Sequence, residues 1–210
     1  MKIKVCGMKF PENITEIQKL SPDFMGFIFY DKSPRFVNQE KERKITATTN
    51  EIAKVGVFVN ASIVYITEKV KTFALNYVQL HGDESPAYVK ELHKKGIKII
   101  KAFQIKTDFD WSLLQAYQKS VDYFLFDTPT ASYGGSGKQF DWSKLNNYKG
   151  NTPFFLSGGI GLEDIQEIMK LKLSFLFGID VNSKFETAPG EKNEELVKTM
   201  INQVRNGTKI

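Results

Sequence analysis

The rhythm of the chain constrains its fold most. Short β-rich apolar runs alternate with longer amphipathic ones from one end to the other, roughly every 25 residues. The runs expected as strands are 3–6, 24–29, 55–59, 77–80, 97–103, 123–126, 154–156 and 174–179. Between them apolar residues recur at helical spacing: Ile14, Ile17 and Leu20; Ile63, Ile66, Val70 and Phe73; Tyr88, Val89 and Leu92; Trp111, Leu114 and Tyr117. Further helices are expected over 39–47, 143–147, 163–171 and 193–203, the last presenting Leu196, Val197, Met200 and Ile201 on one side. Eight such units predict an α/β fold, a single-domain (β/α)8 TIM barrel over residues 1–210, compact against the typical ~250 residues. An open doubly wound sheet shares the alternation, but eight parallel strands are unusual for it. No Pro/Ser-rich linker or composition shift divides the chain.

Composition narrows the partners. With 41% hydrophobic and 25% charged residues, the chain can bury a core and is not disordered. A single cysteine excludes an internal disulfide and argues against a Cys-based zinc cluster. No run of 18 apolar residues is present, and the first residues, Met1 to Val5, lack the apolar core of a signal peptide. A cytoplasmic protein with no membrane partner is expected. The net charge of +5 comes from 29 basic against 24 acidic residues, interspersed. The basic stretches 41–44 and 93–95 fall near helix ends, where cations suit the dipole. No aromatic–basic motif supports a nucleic-acid partner. A mild attraction for a small anion is the stronger reading.

In such a barrel the chemistry belongs at the C-terminal ends of the strands. Cys6 ends the first run and Asp127 the sixth. A thiol there can act as nucleophile or base once ionised, and a carboxyl behind four large apolar residues suits a general acid or base. Gly158 and Gly159, after the seventh run, let backbone amides approach an anion closely. Asp180, Asn182 and Ser183, after the eighth, offer a second group of amides and a hydroxyl, and loops seven and eight commonly form a phosphate site. Arg35, behind Ser33 and Pro34, is suited to bidentate binding of a carboxylate or phosphate. Gly134, Gly135, Ser136 and Gly137 form a glycine-rich loop that matches neither a P-loop nor a dinucleotide fingerprint. His81 and His93 have no evident metal-ligating partner; His81, after Gln79 and Leu80 at the fourth strand end, is placed to line the mouth, but a structural role is the expectation. No cofactor and no metal are expected.

Taken in order along nearly the whole chain, these pieces resemble the phosphoribosylanthranilate isomerases, of the ribulose-phosphate-binding barrel group. The carriers are Lys4-Val5-Cys6-Gly7, Gly26-Phe27-Ile28-Phe29 with Ser33-Pro34-Arg35, and Val57-Phe58-Val59. Val78-Gln79-Leu80-His81-Gly82, Phe126-Asp127-Thr128 and Gly134 to Gly137 with Phe140-Asp141-Trp142 follow. Ser157-Gly158-Gly159-Ile160 and Gly178-Ile179-Asp180-Val181-Asn182-Ser183, with Glu186 and Pro189-Gly190, complete the series.

The resemblance implies a cofactor-free Amadori rearrangement of a small-molecule phosphoribosyl anthranilate in tryptophan biosynthesis, by a monomer or homodimer. It implies Asp127 as general acid, Cys6 as general base and Arg35 on the anthranilate carboxylate. Gly158, Gly159, Asn182 and Ser183 would hold the phosphate. The sequence departs from the family pattern at Asn182, Lys184 and Phe185, at Ser136, and at Phe10-Pro11. Related phosphosugar barrels fit less well: the indoleglycerol-phosphate synthases require a catalytic lysine and glutamates at other strand ends. The histidine-pathway isomerases usually place aspartate where Cys6 stands.

Overall fold

A computed structural model describes residues 1–37, 51–128 and 141–207. Eight parallel strands close into a barrel: β1 (Lys2–Val5), β2 (Phe24–Ile28), β3 (Ala53–Phe58), β4 (Tyr77–Leu80), β5 (Ile99–Gln104), β6 (Tyr123–Asp127), β7 (Phe154–Leu156) and β8 (Leu176–Val181). Each pairs with the next in sequence, and β8 closes on β1 with Lys4 opposite Asp180. The fold is therefore the (β/α)8 barrel expected from the alternation.

The helices start where the sequence offers caps. In α1 (Pro11–Lys19) the proline occupies the first turn, where its missing N–H costs nothing. The unusual Phe10-Pro11 pair thus sets the start of that helix. Ser62 caps α2 (Ile63–Phe73) through the Tyr65 amide, and Ser85 caps α3 (Pro86–Lys94) through the Tyr88 amide. Asn193 does the same for α5 (Glu194–Asn206), after α4 (Ile165–Lys170). No described helix is long and apolar enough to cross a membrane.

Four local expectations change. The 111–117 stretch forms 3-10 turns (Trp111–Ala116 and Gln118–Ser120) rather than an α-helix, and 143–147 becomes the 3-10 turn Trp142–Asn147. In both, an aspartate just before the turn, Asp110 or Asp141, accepts a hydrogen bond from the amide two residues on. Such Asx geometry favours a tight turn, and the apolar stripe behind it is too short to sustain a longer helix. The 163–171 stretch divides into a 3-10 turn (Leu162–Asp164) and α4. After β8, a hairpin of β9 (Glu186–Ala188) and β10 (Glu191–Lys192) was not anticipated at all. The expected 39–47 helix and the 134–137 glycine loop lie outside the described residues.

Strand alternation sorts the side chains. Residues such as Ile3, Val5, Met25, Phe27, Phe124 and Phe126 belong to the large core between the barrel and its outer layer. The inward set differs between the two ends. Near the N-terminal ends Phe24, Tyr77, Tyr123, Phe155 and Phe177 interlock, with ring centroids 4.5–6.2 Å apart. Toward the C-terminal ends the interior turns polar.

Candidate active site

One pocket opens at the C-terminal end of the barrel. Cys6, Arg35, Asp127, Gly158, Gly159, Asp180, Asn182 and Ser183 all line it, so the expected acid, base and substrate-binding residues converge there. They come from five different strand ends, which only closure of the barrel brings together.

Cys6 follows β1, its amide donating to the Val181 carbonyl at 2.9 Å. The thiol is only 4% exposed, and that burial pushes its pKa up. The Lys4 ammonium beside it works in the opposite direction. Lys4 is itself fully buried and donates to Asp180 Oδ1 at 2.8 Å. Burial opposes its charge, but the anionic neighbours Asp180 and Cys6 outweigh that and hold its pKa above the ordinary value. Asp180 thus lies in the pocket wall with its carboxylate engaged by Lys4.

Asp127 ends β6. Its Oδ1 accepts from the Thr128 amide at 2.9 Å, and its Oδ2 lies 3.3 Å from His81 Nε2. On the far side of the ring, Gln79 Nε2 sits 2.9 Å from His81 Nδ1. The imidazole thus bridges the Gln79 amide and the Asp127 carboxyl. His81 therefore belongs to the site rather than to the scaffold, contrary to the sequence expectation. The signal was its position two residues beyond Gln79, on the inward face of β4.

Arg35 reaches the pocket from the loop after β2, which is drawn back along that strand by the Val37 amide to the Ile28 carbonyl at 3.0 Å. Its guanidinium grips Glu186 with two nitrogens, Nε at 2.9 Å from Oε1 and Nη2 at 2.6 Å from Oε2. Glu186 also accepts from Lys192 Nζ at 2.5 Å and from the Gly190 amide at 3.0 Å. Lys192, buried on β10, donates further to Asn182 Oδ1 at 2.8 Å. Burial pulls its pKa down to about 8, with Glu186 resisting. Despite the partial burial that raises it, Glu186 is held below the usual carboxylate range by hydrogen bonds and charge from Arg35 and Lys192. The hairpin is thus a clasp that orients both Arg35 and Asn182. Sequence reasoning noted Glu186 only as part of a pattern and missed Lys192, because neither signals its partner 151 or six residues away.

Two glycines shape the floor. Gly7 (φ +74°) turns the chain so tightly beside Cys6 that a Cβ there would meet Asn182 Oδ1 at 2.6 Å and Arg35 Cδ at 2.7 Å. At Gly158 (φ +98°) a Cβ would collide with Thr128. Gly158 and Gly159 face Asn182 and Ser183, which open a 3-10 turn (Ser183–Phe185), across the loops after β7 and β8. Lys184, on that turn, also lines the pocket and lies 3.9 Å from Glu163. Among the described residues no group of three or more His, Cys, Asp or Glu side chains is arranged to hold a metal ion.

This arrangement can handle a substrate with two anionic ends and move a proton at each of two centres, one at sulfur and one at carboxyl. Comparison with known proteins agrees. Residues 3–203 match the family described as N-(5'phosphoribosyl)anthranilate (PRA) isomerase. The N-(5'-phosphoribosyl)anthranilate isomerase of Parabacteroides distasonis is 48% identical over 206 residues, covering 97% of this chain and 93% of that protein. The crystal structure of phosphoribosyl anthranilate isomerase from Thermotoga maritima superposes with a TM-score of 0.87 at 32% identity, covering 98% of this chain and 99% of that one. A structure of such an isomerase in complex with reduced 1-(o-carboxyphenylamino)-1-deoxyribulose 5-phosphate matches with a TM-score of 0.84 at 28% identity, over 98% and 99% of the two chains. By its sequence over almost its whole length, and by its barrel, the chain belongs to the phosphoribosylanthranilate isomerase family.

Proposed function

We propose that this chain catalyses the isomerisation of N-(5'-phosphoribosyl)anthranilate to 1-(2-carboxyphenylamino)-1-deoxyribulose 5-phosphate, a step of tryptophan biosynthesis. The observation that carries the reading is the convergence of Cys6 and Asp127 on one pocket with Arg35 and the loops after β7 and β8. Asp127 protonates the ribose ring oxygen, the C1′–O bond breaks, and the nitrogen lone pair forms an iminium. The iminium acidifies the C2′ hydrogen, which Cys6 removes as thiolate. The enolamine then takes a proton at C1′ while its C2′ hydroxyl gives one up, forming the ketone, and proton exchange resets Asp127 and Cys6. The electrons balance internally: C2′ is oxidised from alcohol to ketone while C1′ is reduced from iminium to amine.

Binding supports that sequence of steps. Arg35, its Nε and Nη2 held by Glu186, presents the Nη1 side of its guanidinium to the anthranilate carboxylate. Backbone at Gly158, Gly159, Asn182 and Ser183 takes the phosphate, with Asp180 behind them in the wall. Lys184 adds a cation at that rim, a departure from the family pattern. Fixing both unreactive ends places C2′ against the sulfur. Every group named comes from one barrel, so a monomer and a homodimer are equally competent.

The test is direct. Supplied with phosphoribosylanthranilate, the purified chain should extinguish the substrate's anthranilate fluorescence at an enzymatic rate, with the deoxyribulose phosphate as product. Folded protein that leaves the fluorescence unchanged sinks the assignment.

A further inference from the structure

Lys4 is a cation at the centre of the barrel, fully buried one turn of the pleat below Cys6 on the same inward face of β1. A buried ammonium is costly unless it is paired and hydrogen-bonded, so its placement calls for a reason. Its hydrogen-bond partner is Asp180 Oδ1 at 2.8 Å, and the Cys6 sulfur is the other anionic group beside it. The space where sulfur and ammonium meet is made by a missing side chain: a Cβ on Gly26 would stand 2.7 Å from Cys6 Sγ and 3.1 Å from Lys4 Nζ. Three neighbouring strands, β1, β2 and β8, therefore combine to seat a charge beside the thiol.

We propose that Lys4 is the positioning residue for Cys6: pinned by Asp180, its ammonium stands beside the sulfur and favours the thiolate that takes the C2′ proton. The inference rests on the isomerase reading for the last step only; the pairing itself is a property of the free protein. Ionisation is a simple loss of the S–H proton to water in the open pocket, leaving a thiolate beside the Lys4 ammonium. Other charges face the sulfur too. Lys192 on β10 also favours the thiolate, while Asp180 on β8 opposes it. Arg35, His81, Asp127 and Lys184 stand around the same pocket, and Glu186 neutralises Arg35 and Lys192.

Opposite effects from the two members of one ion pair distinguish this role from a structural one. Removing the ammonium disfavours the thiolate. Removing the carboxylate leaves the ammonium with sulfur as its remaining anionic partner and favours it. Because Cys6 is the sole cysteine, its alkylation by iodoacetamide reports the thiolate fraction without ambiguity. In Lys4→Met the alkylation midpoint should rise by about one pH unit, slowing the reaction about ten-fold near neutrality. In Asp180→Asn the midpoint should fall below that of the unmodified chain. Should Lys4→Met fail to fold, Lys4→Met/Asp180→Asn removes both charges together, and its midpoint should still lie above wild type. An unmoved midpoint in folded Lys4→Met or in the double variant, or shifts of the same sign in Lys4→Met and Asp180→Asn, would overturn the proposal. The readout needs no substrate: opposite shifts in a chain inert toward phosphoribosylanthranilate would leave the pairing standing and remove only the isomerase reading.

Discussion

The two ends of the barrel interior are built from the same eight strands and hold opposite chemistry. At the N-terminal end Phe24, Tyr77, Tyr123, Phe155 and Phe177 form a plug of edge-on and tilted rings. Burial, with Tyr77 alongside, pushes the Tyr123 phenol up to about 12, so this layer stays uncharged. At the C-terminal end the inward positions become Lys4, Cys6, Gln79, His81, Asp127 and Asp180, nearly all hydrogen-bonded to one another or to backbone. The plug fills space and gains area and dispersion energy. The upper layer leaves a pocket and holds ionisable groups in fixed geometry, at a cost in stability that the lower layer offsets. Stability and chemistry are thus separated along the barrel axis.

That separation can be broken experimentally. The largest effect should follow Asp127→Asn, which removes the proposed acid: kcat should fall roughly 10²–10⁴-fold while thermal unfolding moves little. A midpoint that collapsed together with kcat would mean that Asp127 holds the fold. Phe155→Ala should do the reverse. Truncating a fully buried ring in the plug should cost about 3–5 kcal/mol in denaturant unfolding, with kcat per folded molecule unchanged.

Glu186→Gln should act between these extremes. Released from its bidentate partner, Arg35 loses its orientation, so KM should rise about ten-fold with a smaller change in kcat. The sign of its pH dependence follows from the depressed carboxyl. The clasp's contribution should be complete above the ordinary glutamate value of about 4.3 and be lost as pH falls through the lower folded value. Acid titration of the wild type, followed by unfolding midpoint, should lose that contribution; Glu186→Gln should lack it throughout. The smallest effect belongs to Lys184→Ala at the exposed rim, where KM should rise no more than about five-fold and the salt dependence of kcat/KM should weaken.

The sequence was legible where period and chemistry coincide. Ile63–Phe73, Tyr77–Leu80 and Phe154–Leu156 appear with the bounds that periodicity predicts. Cys6 and Asp127 were visible because each interrupts an apolar run at a strand end. Lys4 was not. In the run Lys2-Ile3-Lys4-Val5 the lysine face of the alternation reads as solvent, yet closure of the barrel turns it inward. His81 and Lys192 escaped for a related reason: their partners, Asp127 and Glu186, become neighbours only after long-range pairing. Helices at 111–117 and 143–147 failed because local Asx turns outweighed three or four apolar residues at helical spacing.

The upper layer does the chemistry without holding the barrel together, and Cys6→Ala separates those two roles. Its rate of fluorescence loss with phosphoribosylanthranilate, measured on protein whose thermal midpoint matches wild type, should be lower by about 10²–10⁴-fold. Turnover within a few-fold of wild type in that folded variant would contradict the claim.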